Sequence, residues 1–97
     1  MPKLQGELTV TVAATDGIHR YEGVSLWIAR GILVALTRPV SHRSVAERCE
    51  QMGFSLPEEM ISLLVVDGKG GVVAGAFQNE SDVAVGMTDW FLNAKSD

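Results

Sequence analysis

Cysteine is nearly missing from this chain: Cys49 stands alone in 97 residues. One thiol cannot close an internal disulfide, which excludes a disulfide-stapled secreted scaffold and favours a reducing compartment, here the cytoplasm. Long apolar runs are missing too. The longest, "GVSLWIARGILVAL" from Gly23 to Leu36, carries Arg30 inside it. It falls short of the roughly 20 apolar residues that span a bilayer, so no membrane partner is expected. The opening "MPKLQGELTV" has no apolar stretch behind a basic start, the pattern of a chain without a secretory leader. Internal repeats, linkers and low-complexity tracts are absent, so residues 1–97 are expected to form a single globular domain.

Hydrophobic residues make up 46% of the chain. Small domains have a large surface for their volume, so that share predicts either an unusually apolar core or apolar surface meeting a partner, a second copy of the chain included. The net charge of −4 is unevenly spread. Residues 1–43 carry five basic and three acidic side chains, whereas residues 44–97 carry three basic and nine acidic ones. If that division holds in space, one side of the molecule suits a basic partner.

Period-two alternation in "GELTVTVAA" (Gly6–Ala14) predicts a half-buried strand with Leu8, Val10, Val12 and Ala14 on one face. "TDG" predicts a turn, and "IHRYEG" a returning strand with His19 and Tyr21 together. The run Val24–Thr37 fits a buried helix or buried strands. Its length favours helix, while Gly31 and the β-branched residues count against it, and Pro39 ends it. In "SHRSVAERCEQMGFS", Ser44 and Glu47 have capping-box spacing, Val45, Cys49 and Met52 form an apolar stripe, and Gly53 with Phe54 suits a Schellman ending. Ser55 is expected to cap a short helical turn carrying Pro57, Glu58 and Glu59. Ile61–Val66 and Val72–Phe77 flank "DGKGG" as a central hairpin. Val83, Met87, Trp90, Phe91 and Ala94 fall at helical spacing, predicting an amphipathic C-terminal helix capped by Asn79 or Ser81 and closed by Lys95. The expected class is therefore α+β, an antiparallel sheet of two hairpins covered by helices, in the order β-β-α-α-β-β-α.

Chemistry-bearing sets are scarce. The nitrogen and sulfur ligands are His19, His42 and Cys49. His42 and Cys49 would lie about 10 Å apart along a helix, too far to share one ion. A Cys49–His42 nucleophile would need a lowered thiol pKa, which Glu47 and Glu50 oppose and the apolar stripe denies. "DGKGG" lacks phosphate-loop spacing and joins two strands rather than a strand and a helix. No enzyme activity, cofactor or metal is expected. The function expected is that of a non-catalytic protein-interaction module acting by surface occupation. It would be an inhibitor, adaptor or assembly modulator of the kind phages and mobile elements carry, and it would self-associate as a homodimer. Its contact residues would be Arg43, Glu47, Arg48, Glu50 and Gln51 on the exposed face of the second helix. Two alternatives remain at this level. A helix-turn-helix-like regulator would read nucleic acid with Arg43, Arg48 and Gln51, and a small-ligand sensor domain would use the sheet and its hairpin.

Overall fold

Alternation in "LTVTVAA" produces the strand that a period of two dictates. In the computed structural model, which describes residues 8–79 and 82–93, β1 (Leu8–Ala14) buries Leu8, Val10 and Val12 and leaves Thr9, Thr11 and Ala13 on the other face. β2 (Gly17–Val24) returns antiparallel, pairing Val10 with Tyr21 and Val12 with His19. The pairing shifts near Gly23, whose φ of +70 admits a left-handed kink that most side chains avoid. β3 (Met60–Val66) pairs with the opposite edge of β1, β4 (Val72–Asn79) with β3, and β5 (Asp82–Met87) with β4. The chain is thus an α+β protein with one antiparallel sheet in the order β2-β1-β3-β4-β5.

The run Val24–Thr37 is helical from Leu26 onward, while Val24 closes β2. α1 (Leu26–Thr37) starts at Ser25, whose hydroxyl accepts from the Ile28 N–H at 3.2 Å. Its buried stripe of Ile28, Ala29, Ile32, Leu33 and Leu36 packs on β1, β3 and β4. Gly31 is tolerated where α2 crosses: a Cβ there would meet Val45 Cγ1 at an ordinary 3.6 Å. A 3₁₀ turn, Pro39–Ser41, leads into α2 (His42–Gln51).

Three local expectations give way. The chain is already helical at Ser41 (φ −87, ψ −7), which places Ser44 inside α2, so the Ser44–Glu47 capping box does not cap this helix. The helical turn expected after Ser55 does not form. That stretch runs without helix into β3, and Tyr21 Oη donates to the Ser55 carbonyl at 2.6 Å. The largest change is at the C-terminal end. Val83 and Met87 fall at helical spacing but also alternate with Val85 between them, and the open edge of β4 supplies backbone partners. A fifth strand forms where the first half of an amphipathic helix was expected, and α3 is short (Asp89–Asn93). The expected cap Asn79 ends β4; Ser81, Ala94 and Lys95 lie outside the described residues.

α3 is fixed at both ends. Thr88 Oγ1 accepts from the Phe91 N–H at 3.2 Å, and the Thr88 N–H donates to the Val73 carbonyl. Arg30, the lone charge of the apolar run, donates from Nε and Nη2 to the Phe91 carbonyl at 3.0 and 2.6 Å. Its guanidinium also lies 5.8 Å from the Phe91 ring centroid. Phe91 is fully buried, while Trp90 keeps 38% of its surface exposed. All helical cover lies on the face carrying Val10, Val12, Leu63 and Val65. The opposite face, with Thr11, Leu64 and Phe77, is open. We predict that Phe91→Ala costs about 3–5 kcal/mol in urea unfolding, because it empties a core position. Trp90→Ala should cost clearly less.

Candidate functional site

α2 presents three flanks at helical spacing. Val45 and Cys49 point inward and are buried. Met52, expected in the same stripe, is exposed because it sits at the C-cap, where the helix is already turning away. The ending is a full Schellman motif. The Phe54 N–H donates to the Cys49 carbonyl at 2.8 Å, the Gly53 N–H to the Glu50 carbonyl at 3.0 Å, and Gly53 has φ +91. Phe54 then turns inward, edge-on to the Tyr21 ring at 5.5 Å between centroids.

The five expected contact residues divide between the two outer flanks. Arg43, Glu47 and Glu50, at i, i+4 and i+7, share one flank. Arg43 Nε lies 3.7 Å from Glu47 Oε2, and both are well exposed. Arg48 and Gln51 belong to the other flank. The Arg48 guanidinium lies over the Trp27 ring of α1 at 4.9 Å from its centroid, and Gln51 is exposed. Of the five, Arg43, Glu47 and Glu50 line one concavity, and Arg48 and Gln51 lie outside it.

The first flank borders a groove of about 890 Å³. Its floor is apolar, built from Ala35, Leu36, Ala46, Leu56, Met60 and Ile61. Glu47 and Glu50 stand on one side, and Glu58 and Glu59 come from the segment before β3. Three contacts hold that segment against the rest. His42 Nε2 donates to the Pro57 carbonyl at 2.6 Å, which fixes the ring proton on Nε2, since a carbonyl only accepts. The Thr15 N–H donates to the Glu59 carbonyl at 3.2 Å. Tyr21 Oη holds Ser55 from below. Four carboxylates against one guanidinium give the groove a negative rim. Glu58, Glu59, Leu56 and Ile61 were not among the residues singled out by sequence. Their signal was an acidic pair beside apolar residues, which local pattern assigns equally well to a helix start.

The thiol and the hairpin turn have structural roles. Cys49 is fully buried, and burial pushes its pKa up, which keeps the thiol protonated. In the turn at 67–71, Asp67 Oδ1 accepts from the Lys69 and Gly71 N–H groups at 2.9 and 2.8 Å. A carboxylate thus occupies the cradle that a phosphate would need. Among the described residues, no three His, Cys, Asp or Glu side chains come together to hold a metal ion, and no helix is long and apolar enough to cross a membrane. No protein-family model matches the sequence, and no curated protein or solved structure matches it significantly.

Tyr21 is raised as Cys49 is, first by desolvation and then by the charges Cys49 and Asp16 carry when ionised. Both groups are acids held higher in the folded state, so the unfolded chain releases these protons first and gains stability from doing so. Stability to urea should fall as pH climbs past the ordinary thiol value of 9.0 and again past the ordinary phenol value of 10.0. Cys49→Ala should remove the first decline and Tyr21→Phe the second. An unchanged profile in either variant would show that the other groups of the chain carry the effect.

Proposed function

We propose that this chain is a non-catalytic protein-interaction module that acts by occupying a surface, as an inhibitor, adaptor or assembly modulator, in a reducing cytoplasm. The observation that carries the reading is the convergence of Glu47, Glu50, Glu58 and Glu59, from two separate segments, around an apolar floor. A groove of that kind takes a segment with apolar anchors flanked by Lys or Arg. The apolar contacts supply affinity, and the exposed charges supply orientation and association rate.

Arg43, Glu47 and Glu50 line this groove. Arg48 and Gln51 lie outside the groove, with the Arg48 guanidinium over the Trp27 ring of α1. The same arrangement weighs against nucleic acid. Phosphate contacts dominate that affinity, yet Arg43 is matched by Glu47, Arg48 lies on Trp27, and the rim is negative. A small-ligand sensor encloses its ligand, whereas the four carboxylates of this groove are all exposed. Self-association belongs to this reading as well, because exposed apolar side chains persist on the sheet away from the groove.

Selection of a random short-peptide library on the intact protein tests the groove. Enriched peptides should combine aliphatic residues with Lys or Arg, and should lose binding to a Glu50→Lys, Glu58→Lys double variant. Their affinity should also drop as salt is raised, since exposed charges are screened. Peptides without a basic bias, or with equal affinity for the double variant, would sink the groove reading.

A further inference from the structure

The two edges of the sheet are built differently. β2 carries His19, Arg20 and Glu22, pairs Arg20 Nη2 with Glu22 Oε2 at 3.2 Å, and shifts register beside Gly23. Charge and a kink are the devices that stop an edge strand from recruiting another chain. β5 has neither over Val83–Met87: its residues there are Val83, Ala84, Val85, Gly86 and Met87. Its pairing with β4 runs in one unbroken register from Ala74↔Met87 to Asn79↔Asp82.

The phase of β5 follows from one hydrogen bond. The Thr88 N–H donates to the Val73 carbonyl at 2.9 Å, one step beyond the Ala74↔Met87 pair. In an antiparallel ladder the bonded residues alternate. Thr88, Gly86 and Ala84 therefore turn their backbone groups to β4, and Val85 and Met87 turn theirs outward. α3 follows directly on β5, yet Ala84, Val85, Gly86 and Met87 all stay exposed. Phe91 is buried and held by Arg30 of α1, and Trp90 lines a hollow with Leu8 and Val73, so the helix lies back over the sheet. Val85 and Met87 each keep 42% of their surface exposed although they point to the face that carries the helices. On the open face, the stretch Val83–Met87 offers only Ala84 and Gly86, next to the exposed Phe77 of β4.

We infer that β5 pairs antiparallel with β5 of a second copy, about a two-fold axis at Gly86, to give one continuous ten-stranded sheet (five strands from each copy). In this register Val85 of each copy bonds to Met87 of the other, so both outward residues are satisfied twice over. Their side chains meet across the axis as an uncharged cluster of four, while Gly86 faces Gly86 and lets the backbones come close. An isologous contact needs a strand that complements itself, and the uncharged stretch Val83–Met87 does so. The inference rests on the self-association in the reading above and names its location; the groove lies elsewhere and is left free for a partner.

Sedimentation equilibrium and a designed cross-link test it together. The wild type should sediment as a dimer. Val85→Lys places like charges across the axis and should halve the sedimenting mass with an unchanged circular dichroism spectrum. Gly86→Cys should form a disulfide-linked dimer under mild oxidation. A Cβ at Gly86 meets no atom within 4 Å and the backbone there is not left-handed, so the variant keeps the fold. Cys49 is sealed in the core and does not compete. If Val85→Lys unfolds, the Gly86→Cys cross-link alone decides. A wild-type dimer that neither cross-links through Gly86→Cys nor dissociates in a folded Val85→Lys variant overturns the β5 contact and leaves self-association standing. A wild type that is monomeric at every concentration overturns both, while the peptide selection still judges the groove.

Discussion

The pairing of β1 with β3 governs the rest of the molecule. β2 lies outside β1 and β3 lies inside it, so the chain leaving β2 must cross back over β1 before the second hairpin can begin. α1 and α2 are that crossing. Their apolar stripes have only one place to go, the face that carries Leu8, Val10, Val12, Leu63 and Val65. Both helices therefore land on the same side of the sheet, and the other side is left open. The groove follows from the same route: it lies where the descending segment 54–59 re-enters the sheet beside α2.

What could be read in advance depended on whether the decisive contact was local. The alternation of Leu8, Val10 and Val12, the Asp67–Gly71 turn and the Gly53 helix ending are short-range patterns, and all three take the form their residues dictate. The fifth strand was a different case. Val83 and Met87 satisfy both the helical and the strand period, and the choice is made by the open edge of β4, which no window around residue 85 contains. Ser44 misled for a related reason: a cap is defined by where the preceding chain stops being helical, and the 3₁₀ turn at Pro39–Ser41 moved that point upstream.

The candidate site was half legible. Helical spacing placed Arg43, Glu47 and Glu50 together, but it also put Gln51 at i+4 from Glu47, so which of the five would line the groove was not available from the sequence. Nor was the opposing wall. Glu58 and Glu59 face α2 because His42 grips the Pro57 carbonyl and Thr15 grips Glu59, contacts between positions 15 and 44 residues apart. His42, which first resembles part of a reactive centre, is a clasp: its chemistry is spent on a backbone oxygen. Arg30 is similar, since its charge inside an apolar run makes sense only once the Phe91 carbonyl is in place.

Cys49 gives the molecule a built-in clock. It is the chain's single thiol, and it lies beneath the end of α2 close to the Tyr21–Phe54 ring pair, with its own carbonyl engaged in the helix ending. A thiol reagent reaches that sulfur only when this part of the fold opens, so the rate of labelling of the unmodified protein reports the frequency of that opening directly. Comparing that rate with global unfolding would show whether the seam between α2 and the first hairpin breathes on its own or gives way only with the whole sheet.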